Sequence, residues 1–141
     1  MSTRAISLGL FVLAFAGSIP AQSFLAELKS QRDPAKRSEM ALVFADELFQ
    51  NARNFYAKGE ISKGDADLEN MTAVLNACLD SLAMANKSRS YKKAEMKVAH
   101  LQRRLSDLVN DLGIQERGWA EYTNRKLDEI HDKLLNGVMR K

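Results

Sequence analysis

The chain has 141 residues, of which 45% are hydrophobic and 28% are charged, and its formal net charge is +3. This length suits one domain, and this composition excludes a globally disordered chain. A net charge of +3 falls short of the excess that is typical of a dedicated nucleic-acid binder, so we expect no nucleic-acid partner.

The N-terminal residues have the layout of a signal peptide. Arg4 supplies a positive charge, and residues 6–16 form an almost uninterrupted apolar stretch. This stretch is shorter than the roughly 20 residues that span a bilayer. We therefore predict a signal peptide over residues 1–21, with cleavage after Ala21 or Ser23, and an exported protein that is periplasmic or extracellular. The alternative is that the segment is retained as an N-terminal anchor.

A short segment, residues 22–33, precedes a region in which apolar residues recur at helical spacing. Asp33 and Pro34 form a helix-start signal, and Gly59 and Gly113 can each end a helix. The pattern predicts four long amphipathic helices, at about 34–58, 61–86, 90–112 and 115–138. The first of these carries two adjacent apolar seams, which suits a helix that packs against two neighbours.

Short connections between helices of similar length favour antiparallel neighbours. We therefore predict an all-α protein in which residues 34–141 form an antiparallel up-down-up-down four-helix bundle. The alternative is a pair of long hairpins that closes only on dimerisation. Residues 59–87 carry two basic and five acidic residues, net −3, whereas residues 88–112 carry six basic and three acidic residues, net +3. This charge difference favours the second and third predicted helices as neighbours.

Residues 54–60, with Asp65, Ala66 and Ala73, resemble the turn of a tetratricopeptide repeat. The resemblance implies an array of short helix pairs. However, the predicted helices are nearly twice as long as those of the repeat, and no second copy follows at its period of about 34 residues. A single bundle therefore fits the chain better than a repeat array.

No catalytic constellation is evident, so we expect no enzyme and no cofactor. His100 and His131 lie beside apolar seams, which favours positions at the edge of the core. Asp128-x-x-His131 is half of the carboxylate–histidine pattern of di-iron bundles, but Lys97 stands where the carboxylate before His100 would be. Cys78, the single cysteine, lies on an apolar seam and is expected to be a buried thiol.

The predicted architecture looks like that of the exported four-helix cytochromes of the b type. This resemblance implies a non-covalent haem whose axial ligands lie at one level of the bundle. Met40 and His131 have matched levels on the first and last predicted helices and are the candidate ligands. A haem or metal carrier is therefore one alternative function, although a methionine near a helix start is more often core filling.

Two groups of residues predict binding to a macromolecule. The aromatic residues Phe55, Tyr56, Trp119 and Tyr122 gather at one end of the predicted bundle. We predict that they form a partner-binding patch, because tryptophan and tyrosine are enriched at interfaces. The basic residues Lys87, Arg89, Lys92, Lys93 and Lys97 cluster near the start of the third predicted helix. They would bind an anionic surface, either a membrane or a polymer of the cell envelope.

The leading functional hypothesis is a non-enzymatic helical module of the cell envelope for protein interaction or scaffolding. Its partner would be another protein or a second copy of the chain. The anionic-surface binder is the second hypothesis, and no small-molecule substrate is indicated by any motif.

Overall fold

A computed structural model describes residues 21–140, and every regular element in this part of the chain is a helix. The prediction of an all-helical protein is confirmed. The helices are α1 (Ala21–Ser30), α2 (Pro34–Ala57), α3 (Ile61–Ala85), α4 (Ser88–Asp111) and α5 (Gly118–Met139). None of these five is long and apolar enough to cross a membrane. Apart from its last position, the predicted signal peptide lies outside the described residues.

The segment before the first long helix folds into the short helix α1, which the sequence pattern does not predict. Phe24 and Leu28 are buried, and they share one helix face because they are four positions apart. The ring of Phe24 meets that of Phe44 on α2 edge to face, with centroids 5.0 Å apart. α1 also packs against α3. It therefore belongs to the hydrophobic core, and cleavage at either predicted position would leave Phe24 and Leu28 in the mature chain.

Local interactions account for both ends of α2. The carboxylate of Asp33 accepts a hydrogen bond from the backbone N–H of Ala35 at 3.0 Å, and Pro34 occupies the first turn. At the other end, Gly59 adopts a φ of +78°, and the N–H of Glu60 donates to the carbonyl of Phe55 at 2.9 Å. The chain can then reverse at once, so α3 returns along α2.

The start of α5 differs from the predicted boundary. α5 begins at Gly118, whereas the pattern places the last helix from about residue 115. The intervening turn is closed by Glu116, whose N–H donates to the carbonyl of Gly113 at 2.9 Å, and by Arg117, whose guanidinium donates to the carbonyl of Leu112 at 3.1 Å. Ile114 is 83% exposed in this turn.

The long helices form two antiparallel hairpins, α2 with α3 and α4 with α5. In the first hairpin, Arg37 near the start of α2 donates to the hydroxyl of Ser81 near the end of α3 at 2.8 Å. In the second, Asn124 of α5 donates to the hydroxyl of Ser106 of α4 at 3.2 Å. The hairpins meet through α2 against α4 and α3 against α5.

The expected proximity of the acidic and basic helices is wrong. α3 and α4 make the least contact of all the packed pairs, and basic residues of α4 instead reach carboxylates of α2. Lys93 lies 3.0 Å from Glu39, and Arg104 lies 2.8 Å from Asp46. Exposed ion pairs contribute only about 0.2 to 1 kcal/mol each, so they do not select which helices become neighbours. The apolar stripes make that selection.

The core lies between the four long helices, with α1 covering one side of the α2–α3 hairpin. Its largest fully buried side chains are Leu28, Leu48, Phe49, Leu68, Met71, Val74, Leu75, Leu82, Leu101, Leu105, Leu127 and Leu134. The buried hydroxyls of Ser38, Ser81 and Thr123 each donate to a carbonyl three or four residues earlier in their own helix. The hydroxyls therefore enter the core without losing a hydrogen-bond partner.

We expect Leu28→Ala to destabilise the protein by about 2 to 4 kcal/mol, because it removes a fully buried side chain and leaves a cavity. Lys29→Ala on the exposed face of α1 is the matched control and should change stability by less than about 0.5 kcal/mol. Chemical denaturation monitored by circular dichroism measures both. Equal stability of the two variants would show that α1 is not part of the folded core.

Candidate functional site

Trp119 and Tyr122 lie together in the first turns of α5. Their ring centroids are 5.1 Å apart, and the residues are 37% and 41% exposed. They are three positions apart on the helix, so both rings lie on one face. Large aromatic side chains that stay this exposed offer apolar area that folding has not buried.

These rings line a groove of about 440 Å³ between α3 and α5. The α3 wall consists of Glu69, Thr72, Ala73 and Asn76, and the α5 wall continues from Thr123 to Lys133. Because α3 and α5 run side by side, the groove is elongated along the helices. Thr72 and Ala73, both half-buried, contribute short side chains to the α3 wall.

Charged groups of both signs surround the aromatic pair. Lys126 Nζ lies 3.5 Å from a carboxylate oxygen of Glu129 and 5.4 Å from the centre of the Tyr122 ring. The negative charge of Glu129 is the largest cause of a raised pKa of Lys126, and the electrostatic interaction and hydrogen bond with Tyr122 raise this pKa further. Lys126 therefore stays protonated beside the rings and can pair with a carboxylate of a bound molecule.

Phe55 and Tyr56 do not join this aromatic pair. They lie on the last turn of α2, and α2 has no Cα atom within 8 Å of α5. Phe55 is half-buried, and the ammonium group of Lys63 lies 5.7 Å from the centre of its ring. The four predicted patch residues are thus two separate pairs.

Tyr56 is part of the packing between α2 and α3. Its ring is buried against Gly64, where an added Cβ atom would lie 2.8 Å from the ring. Its hydroxyl donates to the carboxylate of Asp65 at 2.5 Å. Burial, the hydrogen bond and the charge of Asp65 together raise the pKa of Tyr56 above its usual value. The Tyr56 side chain is therefore neutral and part of the core, and at 6% exposure it is too buried to contact a partner.

The predicted basic cluster separates into paired and unpaired cations. Lys93 pairs with Glu39 at 3.0 Å, and Lys97 lies 3.5 Å from Asp46. No ion pair within residues 21–140 involves the exposed residues Lys87, Arg89 or Lys92. These three carry the uncompensated positive charge of the start of α4.

Met40 and His131 contact different neighbours. The sulfur of Met40 lies 3.9 Å from the side-chain nitrogen of Gln31, in the connection between α1 and α2. His131 Nε2 lies 3.6 Å from a carboxylate oxygen of Glu95 on α4. The two predicted haem ligands therefore contact different parts of the protein: Met40 contacts the connection between α1 and α2, and His131 contacts α4.

The remaining candidate ligands are also apart. His100 is exposed and lines the groove between α2 and α4, whereas Asp128 accepts a hydrogen bond from Gln102. Within residues 21–140 there is no group of three histidine, cysteine, aspartate or glutamate side chains that could hold a metal ion.

Cys78 is buried, and its thiol lies 3.6 Å from the carbonyl oxygen of Ser38. Burial raises the pKa of the Cys78 thiol to about 12. A thiol in this state is a poor nucleophile, because the thiolate is the reactive form.

No protein-family model matches the chain, and comparisons with curated proteins and with solved structures found no significant match.

The α3 wall of the groove was not predicted from the sequence. Glu69, Thr72, Ala73 and Asn76 recur at helical spacing on a polar face, a pattern that is shared by any solvated helix surface. Their place in one groove with Trp119 follows from the pairing of α3 with α5, which the local pattern does not encode.

We expect Cys78 to resist thiol reagents in the folded protein even at about pH 9, where a free thiol is largely ionised. Reaction should require unfolding, because the folded thiol has a pKa of about 12. The release of a coloured thiolate from an aromatic disulfide reagent measures the rate. Ala83→Cys in a Cys78→Ala background places a thiol on the exposed face of α3 and should react rapidly. Equal rates in the two proteins would show that Cys78 is accessible.

Proposed function

We propose that this protein is an exported, non-enzymatic interaction module of the cell envelope, built as a four-helix bundle of two antiparallel hairpins. The bundle is supported by the two hairpins and by the packing of α2 on α4 and of α3 on α5. In this arrangement, consecutive helices α3 and α4 occupy diagonal positions. Export is supported by Arg4 and the apolar stretch that follows it.

The exposed pair of Trp119 and Tyr122 is the observation that carries the proposal. An aromatic pair on a rigid helix presents a large apolar area at a small cost in conformational entropy, because its rings have few rotatable bonds. The neighbouring groove supplies hydroxyl and amide groups from Thr72 and Asn76. Aromatic anchors beside polar groups match the composition of protein–protein interfaces.

The charges around the groove favour a protein segment as its occupant. Glu69 and Glu129 are acidic, whereas Lys126 and Lys133 are basic, and all four line the groove. A polyanion would be repelled by the two carboxylates. A protein segment can place side chains of both signs along the same surface.

Among the described residues, the two side chains whose pKa values are raised most stay in their neutral forms, which supports a non-enzymatic role. Burial raises the pKa of Tyr56 and of the Cys78 thiol, and so favours their neutral forms. An activated nucleophile or general base has the opposite requirement, since it must release its proton near neutral pH. Both groups instead fill space in the core.

If the chain is exported and its signal peptide is removed, cells that express the full chain should contain a shortened protein in the envelope fraction. Intact mass spectrometry should find a chain that begins at Gln22 or at Phe24, the residues that follow the two predicted cleavage positions. Replacing Leu10 and Val12 with lysine interrupts the apolar stretch and should leave the chain unprocessed. An unshortened wild-type chain in the cytosol would contradict export.

We expect Trp119→Ala and Tyr122→Ala each to weaken partner binding by about thirtyfold, the loss typical of an interface hot spot. Crosslinking in envelope fractions identifies the partner, and titration of the purified partner measures affinity. Trp119 is the only tryptophan, so its fluorescence emission should shift to shorter wavelength on binding.

Tyr56→Phe is the matched control, because it alters a buried aromatic residue outside the groove and should leave the affinity unchanged. Undiminished binding by both groove variants would remove this surface from the proposal. An emission shift that depends on the concentration of the protein alone would identify a second copy of the chain as the partner.

A further inference from the structure

One end of the molecule gathers positive charge from several helices. α2 and α4 begin there, as shown by the 3.0 Å contact between Lys93 and Glu39, and α3 ends there, where Ser81 meets Arg37. The end of α5 joins them, because Arg140 lines the same pocket as Asp80 and Tyr91. The basic end is defined by six exposed cations: Arg32, Lys36, Lys87, Arg89, Lys92 and Arg140.

The cations of the basic end are uncompensated. Within residues 21–140, none of the six forms an ion pair. Of the carboxylates nearby, Glu39 is paired with Lys93, whereas Asp33 at the start of α2 keeps its negative charge, because its capping bond comes from the neutral N–H of Ala35. Asp80 is exposed beside Arg140. Positive charge therefore dominates this surface.

The opposite end carries charges of both signs. Its exposed or half-buried carboxylates lie at the start of α3, the end of α4 and the start of α5, and they are Glu60, Asp65, Asp111, Glu116 and Glu121. They accompany cations such as Lys58 and Lys63, so no single sign dominates there. The two ends of the molecule therefore differ in charge. An anionic surface would attract the basic end more strongly than the opposite end.

Two exposed methionines accompany the cations of the basic end. Met84, in the last turn of α3, is 69% exposed, and Met139, the last residue of α5, is 76% exposed. Apolar side chains among unpaired lysines and arginines are characteristic of proteins that bind the interface of a membrane. A soluble polyanion would engage the cations alone and would leave the methionines in water.

We propose that the basic end docks on the surface of a membrane that contains anionic phospholipids. The six cations contact the headgroups, and Met84 and Met139 enter the interfacial layer. The helix axes then stand away from the membrane, with Trp119 and Tyr122 at the distant end. This docking goes beyond the proposed partner groove and does not depend on it.

Sedimentation with vesicles of equal parts phosphatidylglycerol and phosphatidylcholine tests the docking. The full chain is used, and binding to vesicles of phosphatidylcholine alone is subtracted, since this corrects for the apolar N-terminal stretch that all variants share. We expect the combined variant Lys87→Glu, Arg89→Glu and Lys92→Glu to bind on the order of a hundredfold more weakly, since each cation near an anionic surface contributes roughly fivefold. Wild-type binding should fall as salt is added.

The control variant makes the same change of charge at a distance from the basic end. Arg53→Glu, Lys58→Glu and Arg103→Glu alter exposed residues towards the opposite ends of α2 and α4. We expect this protein to keep most of the wild-type binding. An equal loss in both triple variants would show that net charge alone is responsible and would overturn the assignment to the basic end.

The methionines distinguish a lipid surface from a soluble polyanion. Met84→Ser with Met139→Ser should weaken vesicle binding several-fold and leave binding to immobilised heparin unchanged. Wild-type affinity for vesicles in this variant would overturn the lipid proposal and leave a polyanion as the ligand. Loss of partner binding in the Trp119 and Tyr122 variants with intact vesicle binding would show that the two surfaces act separately.

Discussion

Burial of the apolar stripe of α2 is the interaction on which the other features of this protein depend. α1, α3 and α4 all pack against this helix. Ala41, Ala45 and Ala52 are fully buried on it, and their small side chains let the neighbouring helices approach closely. With α3 and α4 both held by α2, α5 completes the core against α3 and α4. The stripe therefore sets the position of every other long helix.

The surfaces follow from this packing. Holding α4 beside α2 brings Asp46 to Lys97 and Arg104, which compensates part of the positive charge of α4. Within residues 21–140, the cations near the connection between α3 and α4 have no such partner, and they form half of the basic end. Holding α5 beside α3 opens the groove in which Trp119 and Tyr122 stay exposed. Both surfaces exist because the apolar stripes bring those helices together.

The aromatic residues show how similar sequence signals can have different outcomes. Tyr56 and Tyr122 both lie near helix ends, and each has another aromatic residue within three positions. Tyr56 is covered because Gly64 on α3 leaves room for its ring and Asp65 accepts a hydrogen bond from its hydroxyl. Tyr122 lines the groove between α3 and α5 and stays 41% exposed. Neither outcome can be read from the residues next to each tyrosine.

By itself the sequence determined that the described chain is helical, because helix formation depends on local spacing of apolar residues and on capping groups such as Asp33 and Gly59. It also identified Trp119, Tyr122 and the cations at the start of α4 as candidates for binding. The tertiary structure decided which helices are neighbours, that Phe24 and Leu28 make α1 part of the core, and which charges are paired. The physical reason is that the apolar stripes are chemically alike, so only their combined packing distinguishes one neighbour from another.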